Sequence, residues 1–378
     1  MIRLLISAAS LVLCVSVTAK AQSSVTLYGV LDDGLNFTSN AAGHHAFQMV
    51  SGDTAETIFG LKGNEDLGGG LSAIFTLESG VNVNTGFLNE GGRMFGRQAF
   101  VGMSSQNLGT LSLGRQYDAT IDFWSPYTSA GNTIGDFASH PFDMDNADYD
   151  YRFQNSVKYV SPVFAGFQFE GVYGFSNATN FGENRAYSAA GSYTAGPFSA
   201  VVAYLRQNGA NLTTTGAVGG DGVFTAGHQQ NIDAGIRWTF SDSSNIALAY
   251  SHVDVYDPTA VSYVSDIGTE AWTSWKFDNI EVNGQYFITP ALSLAAAYTF
   301  THSSLHDTAS SFSSNWHQVS AMLNYSLSKR TSVYVQGAYQ HVNGNTGTGL
   351  DQAHIVGSAD LSSSANQMVY RVAMVHHF

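Results

Sequence analysis

Apolar and polar residues alternate at period two along almost the whole chain from residue 24 onward, in segments of about ten residues. In one segment, Ile232, Ile236 and Trp238 alternate with Asp233 and Arg237. Clusters of glycine, asparagine, serine and aspartate separate the segments, and helical periodicity is nearly absent. The pattern predicts many β-strands, each with one apolar face and one polar face.

The connections between these segments alternate in length. Tight turns are predicted at residues 64–70, 107–109, 162–166, 196–197, 242–244, 289–290 and 328–330. Longer polar stretches fall near residues 38–48, 84–92, 119–150, 176–186, 208–229, 256–276, 302–314 and 343–365. Short turns at one rim and long loops at the other are typical of outer-membrane β-barrels, and the segments number about sixteen.

A soluble β-sandwich has the same period, with its apolar face turned into a core. Aromatic residues near segment ends favour the opposite arrangement, because lipid-facing barrels carry aromatic girdles at both interfaces. Examples are Tyr173 with Phe175 and Tyr298 with Phe300. We therefore predict an all-β fold, a transmembrane antiparallel β-barrel of about sixteen strands, which is wide enough to leave an aqueous lumen.

The first residues have the pattern of a secretory signal peptide. Arg3 precedes a short apolar run from residue 4 to 17, and Ala19-Lys20-Ala21 matches a small-x-small cleavage site. We expect residues 1–21 to be removed and residues 22–378 to form a single barrel domain. Cys14 is the only cysteine and lies in the removed segment, so we expect neither a disulfide nor thiol chemistry.

Composition and charge exclude several classes of protein. No later stretch approaches the 18 or so consecutive apolar residues of a membrane helix. The formal net charge of −14 argues against nucleic acid as a partner, because phosphate binding needs a basic face. The adjacent pairs His44-His45 and His376-His377 point to opposite strand faces, so neither chelates a metal simply. Other histidines, namely His140, His228, His306 and His354, fall in predicted loops, where we expect solvated side chains.

Several sequence blocks then point to one family. Residues 24–30 read SVTLYGV, residues 59–70 read FGLKGNEDLGGG, residues 96–102 read GRQAFVG, and residues 113–118 read LGRQYD. They are followed by NSVKY at residues 155–159 and FAGF at residues 164–167. In this order the blocks resemble the Gram-negative general porins of the trimeric, sixteen-stranded, β-proteobacterial type, such as those of Burkholderia and Neisseria, over essentially the whole mature chain.

The resemblance implies that residues 119–150 form the third external loop, which in porins folds into the barrel and narrows the pore. The length of this stretch independently favours a functional loop. Its aspartates, among them Asp122, Asp136, Asp143 and Asp145, are expected to line the constriction. The alternative is an external loop with no role in conduction.

The same resemblance implies basic side chains on the opposite wall, at Arg97 and Arg152 with Lys158 and Lys62. Strand alternation supports Arg152 and Lys158, which share a polar face. For Arg97 an ion pair beneath a loop is the alternative. Arg115 matches a residue near the subunit contact of porins. Ile58 and Val30 stand where porins often carry further wall cations, so the basic side of the pore is thinner than usual. Together with the negative net charge, this predicts a mild preference for cations.

The function expected from these residues is passive diffusion of small hydrophilic solutes and ions, without a cofactor. A substrate-selective channel is the main alternative, because Tyr149, Tyr151 and Trp124 could form an aromatic track. No nucleophile and base pair identifies an outer-membrane enzyme. The expected partners are two further copies in a homotrimer, outer-membrane lipid and lipopolysaccharide. The homotrimer is implied by the resemblance alone.

Overall fold

The computed structural model describes residues 24–209, 211–213, 215–240, 243–268 and 271–378. The predicted signal peptide lies outside these ranges. Within them, no helix is both long and apolar enough to cross a membrane. Strands account for most of the described chain, and the longest connection contains only short helical turns.

Nineteen strands are named here in chain order. They are β1 (Ser24–Ala41), β2 (His44–Ser51), β3 (Ile58–Gly68), β4 (Leu71–Gly80), β5 (Gln98–Ser105), β6 (Gly109–Gln116), β7 (Phe153–Val160), β8 (Phe167–Gly174), β9 (Ala186–Ala195), β10 (Phe198–Asn208), β11 (Phe224–Thr225), β12 (His228–Thr239), β13 (Asn245–Tyr256), β14 (Ala260–Val261), β15 (Trp272–Thr289), β16 (Leu292–Asp307), β17 (Ser311–Ser326), β18 (Thr331–Gly344) and β19 (Asn366–His377).

One antiparallel sheet closes on itself to form a barrel. It contains seventeen strands, and β11 with β14 forms a separate two-stranded sheet. The first and last strands, β1 and β19, pair from Val30 opposite His377 to Thr38 opposite Val369, which closes the wall. β2 and β3 pair with successive parts of β1, so together they occupy the place of a single strand in the wall. The described wall therefore has sixteen positions, which confirms the predicted barrel and its size.

The apolar faces of the strands point outward, as the alternation predicts. On β12, Ile232 and Ile236 are about half exposed, whereas Asn231 and Asp233 are fully buried. The same inversion occurs on β19, where Tyr370 and Val372 are exposed and Arg371 is buried. A soluble sandwich would bury the apolar face, so this arrangement is that of a lipid-facing barrel with a polar interior.

The predicted tight turns lie at one rim of the barrel. At the turn between β3 and β4, Gly68, Gly69 and Gly70 all have positive φ, a conformation in which a side chain would be strained. The predictions of long loops at residues 38–48 and 302–314 are wrong. In the first, Ala42 and Gly43 alone separate β1 from β2, and in the second, residues 308–310 separate β16 from β17. Polar residues continue the strand pairing beyond the apolar band, so their polarity alone does not mark a loop.

Candidate pore constriction

The longest connection without a strand of its own runs from residue 117 to 152, between β6 and β7, and is called the long loop below. It consists of short helical turns, which lie at Thr120–Trp124, Ser125–Tyr127, Ser129–Asn132, Gly135–Ala138 and Pro141–Asp143. Local side chains start these turns. The carboxylate of Asp118 accepts from the backbone N–H of Thr120 at 2.8 Å, and the Thr128 hydroxyl accepts from that of Gly131 at 3.1 Å.

Polar side chains on the inner faces of several strands hold the long loop. On β12, Gln229 donates to the carbonyl oxygen of Met144 at 2.8 Å. On β15, Asn283 donates to that of Tyr127 at 2.9 Å. On β17, Gln318 donates to the carbonyl oxygens of Phe137 and Ser139, at 3.2 and 3.1 Å. A segment bound at once to the inner faces of these three strands lies inside the barrel.

A buried histidine provides the strongest electrostatic link between the long loop and the wall. Nδ1 of His140 lies 2.6 Å from Oδ2 of Asp145, and Nε2 lies 3.0 Å from Oε2 of Glu281 on β15. Burial lowers the pKa of His140, but the two carboxylates outweigh it and hold the pKa well above its usual range. The imidazolium therefore bridges two carboxylates. The expectation of a solvated histidine at this position is wrong, because the loop turns inward.

The other histidines expected in solvated loops also differ from that expectation. His228 and His306 lie on β12 and β16. His354 does lie in a loop, but it is buried, and burial lowers its pKa to about 4. Strands longer than predicted explain the first two, and loop packing explains the third.

Four other aspartates of the long loop form an acidic group: Asp136, Asp143, Asp148 and Asp150. Burial, followed by repulsion from neighbouring carboxylates, raises the pKa of Asp136 and of Asp150 to about 7. Burial also raises the pKa of Asp143 and Asp148 well above the usual range. Asp148 accepts from the Ser139 hydroxyl at 2.7 Å. This group therefore carries less negative charge at neutral pH than its composition indicates.

Arg97 and Arg152 both lie beside the Tyr117 ring. The guanidinium carbons lie 5.8 and 5.4 Å from the ring centroid. Nε of Arg97 lies 3.2 Å from Oε1 of Glu78, and Nη1 lies 3.7 Å from Oε1 of Glu90 in the connection after β4. Nη2 of Arg152 is 4.0 Å from that same Glu90 oxygen. Arg97 therefore forms ion pairs with carboxylates of β4 and of the following connection, and its place in the pore wall stays a prediction.

Lys158 and Asp122 form a direct ion pair between β7 and the long loop. Nζ of Lys158 also lies 3.3 Å from Oε1 of Glu170 on β8 and donates to the carbonyl oxygen of Tyr117 at 3.3 Å. Asp122 is thus separate from the acidic group, and Asp145 is bound to His140. The predicted acidic residues therefore occupy three different environments.

Lys62 is the most exposed of the predicted wall cations. Its ammonium lies 5.1 Å from the centroid of the Tyr28 ring. The Tyr28 hydroxyl donates to Oε2 of Glu78 at 2.7 Å, and Glu78 in turn pairs with Arg97. Lys62 and Arg97 therefore belong to one polar track on the inner wall.

Arg115 lies apart from this track. It is buried, donates from Nε to the carbonyl oxygen of Gly96 at 2.5 Å, and pairs with Asp221 in the connection between β10 and β11. Asp221 also pairs with Arg93, 2.6 Å away. A subunit contact at Arg115 stays a prediction.

A second basic centre was missed by sequence reasoning. Arg371 on β19 is fully buried, with Nη2 2.9 Å from Oδ1 of Asp32 and Nη1 donating to the Asn36 amide oxygen at 2.8 Å. The Tyr334 hydroxyl accepts from Nε of Arg371 at 2.7 Å. The alternation of Arg371 with the outward Tyr370 and Val372 could have identified it as an inward residue. None of the sequence blocks that resemble porins covers this strand.

The closed barrel, its outward apolar face and its charged interior define the class of protein: a transmembrane β-barrel with a polar lumen. A profile of the Gram-negative porins matches residues 7–345. The chain belongs to the Gram-negative porin family, a family of outer-membrane channels rather than enzymes. No group of three or more histidine, cysteine or acidic side chains in the described ranges is arranged to hold a metal ion.

Similar proteins agree with this assignment. An outer membrane porin protein of Bordetella pertussis is 34% identical over 226 residues, which cover 53% of this chain and 58% of that protein. The chain therefore matches less than two thirds of the length of this relative. The anion-selective porin of Comamonas acidovorans superposes with a TM-score of 0.69 at 22% identity, covering 94% of this chain and 100% of that chain. The trimer form of OmpT of Vibrio cholerae gives 0.61 at 17% identity, with 94% and 99% covered. These two structural similarities show the fold alone.

Proposed function

We propose that the protein forms a water-filled channel for passive diffusion of small hydrophilic solutes and ions across the outer membrane, narrowed by the long loop. The observation that carries the proposal is the set of hydrogen bonds from inner-wall side chains to the loop, such as that from Asn283 to Tyr127. A loop fixed across the wide polar interior of the barrel reduces the cross-sectional area of the open channel. Charged groups along the remaining passage then act on solutes without binding them tightly.

Single-channel recording with introduced cysteines tests this function. Asp122 is partly exposed and lies on the long loop, whereas Ser363 is exposed in the connection before β19. We expect a bulky thiol reagent to reduce the conductance of Asp122→Cys and to leave that of Ser363→Cys unchanged. Asp122→Ser controls for the lost charge. Refolded protein without conductance steps, or equal reduction in both cysteine variants, would overturn the proposal.

We propose in addition a mild preference for cations. Arg97 is largely neutralised, because it lies within 4 Å of Glu56, Glu78 and Glu90. The related barrel of Comamonas acidovorans is named anion-selective, but at 22% identity the similarity supports a shared fold and not a shared ion preference. The charges of this chain therefore decide its preference. Reversal potentials under a salt gradient test it, and a clear anion preference would refute it.

Selective uptake along an aromatic track receives less support. Trp124 and Tyr151 are fully buried, and Tyr149 packs edge-on against Tyr117 at 5.3 Å. These rings hold the long loop in place. Saturable block of the conductance by a sugar or carboxylate at low concentration would restore the selective alternative.

A homotrimer and contacts with outer-membrane lipid and lipopolysaccharide complete the proposal. Exposed apolar side chains on the first strands, such as Leu35 and Phe47, offer a surface that either a subunit or lipid would cover. The related barrel of Vibrio cholerae is described in a trimer form. Light scattering of the detergent-solubilised protein would decide, and a monomer mass would contradict the trimer.

A further inference from the structure

The strand pairing of the wall is interrupted between β2 and β3. The strand β1 pairs with β2 as far as Asp33 opposite Ser51, and with β3 from Val30 opposite Ile58. Two residues of β1 therefore face the six residues 52–57, which is four more than a continuous ladder needs. Excess residues of this kind leave the plane of a sheet and redirect side chains. We call residues 52–57 the inward bulge, because its contacts lie inside the barrel.

Asp32 of β1 holds the inward bulge in place. Its backbone carbonyl oxygen accepts from the N–H of Gly52 at 2.8 Å and from the Thr57 hydroxyl at 2.8 Å. Its carboxylate accepts from the backbone N–H of Ala55 at 3.1 Å and lies 2.9 Å from the guanidinium of Arg371. The inward bulge is therefore a fixed part of the wall rather than a loose insertion.

The inward bulge contacts the long loop at Ile134 and Gly135. The Thr54 hydroxyl lies 3.3 Å from the carbonyl oxygen of Ile134. Gly135 has a φ of +78°, and a Cβ at this position would lie 2.1 Å from the carbonyl oxygen of Asp53. Gln336 on the inner face of β18 donates to the carboxylate of Asp53. The inward bulge thus connects this part of the long loop to the inner wall.

The inward bulge also places Glu56 beside Arg97. Oε2 of Glu56 lies 3.5 Å from Nη1 of Arg97. The two other carboxylate neighbours of Arg97, Glu78 and Glu90, have side chains that are only 7% and 8% exposed, whereas that of Glu56 is 39% exposed. Because the bulge lies inside the barrel, the water that reaches Glu56 is water of the lumen. Glu56 is therefore the carboxylate partner of Arg97 that passing ions meet.

We propose that the inward bulge is a second element of the constriction, which fixes the long loop and presents Glu56 to the passage, and so sets both the width of the passage and its ion preference. The inference rests on the proposed channel function and deepens it. Without the inward bulge, the long loop would lose its contacts at Ile134 and Gly135. Without Glu56, the electrostatic potential beside Arg97 would become more positive. The solutes that this element favours are small cations.

Single-channel recording of a variant that lacks residues 53–56 tests the role in width. The deletion brings Gly52 opposite Asp32 and Thr57 opposite Leu31, which completes the ladder between β1 and the joined strand. Because the number of removed residues is even, every side chain of β2 and β3 keeps its face. We expect a higher conductance than that of the parent and a reversal potential shifted toward anion preference. A conductance equal to or below that of the parent would overturn the proposal.

The substitution Glu56→Gln tests the role in ion preference without shortening the chain. We expect the reversal potential under a salt gradient to shift toward anion preference, because an exposed negative charge beside Arg97 is lost. Glu65→Gln is the matched control, since it removes the same charge from the exposed end of β3 near the tight turn, and it should shift the potential less. An equal or larger shift for Glu65→Gln would contradict the position of Glu56 in the passage.

A pair of glycine substitutions tests the contact with the long loop. Gly86 has the same φ of +78° as Gly135, but no atom lies within 4 Å of the position of its Cβ. Alanine strains the backbone similarly at both positions, and only at Gly135 does it also displace the long loop from the inward bulge. We expect Gly135→Ala to change the conductance and Gly86→Ala to keep that of the parent. Parental conductance in both variants would show that the contact does not set the width.

The outcomes separate this inference from the channel function on which it rests. A refolded parent without conductance steps would refute the channel function. A parent that conducts, with Glu56→Gln and Gly135→Ala identical to it, would refute the inward bulge alone. These two substitutions decide the question even if the deletion variant does not refold.

Discussion

Nε2 of His140 lies 3.0 Å from Oε2 of Glu281, and both side chains are fully buried. This contact joins the long loop to the inner face of β15. Because removing one partner of a buried ion pair leaves an uncompensated charge, we expect His140→Gln to lower the free energy of unfolding by about 3–5 kcal/mol. The unfolding temperature of the refolded protein in detergent measures the effect, and a variant as stable as the parent would show that the bridge is not ionic.

The pH dependence of this effect has a definite sign. A histidine whose pKa is raised in the folded state contributes stability that is fully present below its unfolded pKa, about 6.5, and lost as the pH rises through the folded pKa. The difference between parent and His140→Gln should therefore be largest in acid and shrink in alkali. His354→Gln is the matched control. Burial lowers the pKa of His354 to about 4, so its difference should not shrink in alkali.

Arg371 and Asp32 form a second buried pair, 2.9 Å apart, with Asp53 at 4.0 Å from the same guanidinium. Arg371→Met leaves two carboxylates without their cation, and we expect a loss of about 3–5 kcal/mol. Adding Asp32→Asn should recover part of that loss. The control Lys62→Met removes an exposed cation and should hardly change the unfolding temperature. Equal effects of Arg371→Met and Lys62→Met would contradict a structural role for the pair.

Lys62 should instead influence ion preference. Its side chain is exposed, forms no salt bridge with any described residue, and lies on the same inner-wall track as Arg97. We expect Lys62→Gln to shift the reversal potential further toward cations, because a cation that is not neutralised is lost. Arg115→Gln serves as the matched control, since Arg115 is already paired with Asp221. A larger shift for Arg115→Gln would reverse this assignment.

The barrel was predictable because its determinants are local. Alternation along β12 or β19 indicates which residues face outward, and positive-φ glycines such as Gly69 mark a turn. Connection lengths were less predictable. The outward polar residues His302 and Asn315 extend β16 and β17 beyond the apolar band, and polarity alone did not distinguish such a strand from a loop.

The candidate constriction depends on contacts between residues that are far apart in the sequence. His140 and Glu281 are 141 positions apart, so only the folded loop reveals why that histidine is charged. Asp122 and Asp136 have similar sequence surroundings, yet one pairs with Lys158 and the other is buried among carboxylates. These environments arise from tertiary packing, which period and composition do not encode.

The outward orientation itself is open to a direct test on β15. Val282 is nearly half exposed on the outer face, whereas Gln285 lies on the opposite face and donates to Ser293 at 3.3 Å. If Val282 meets lipid, Val282→Arg should destabilise the barrel clearly more than Gln285→Arg does, because a charge on the lipid face loses its hydration. Gln285→Arg should be tolerated in the aqueous lumen. Equilibrium unfolding from lipid vesicles measures both, and comparable losses would mean that the two faces do not meet different solvents.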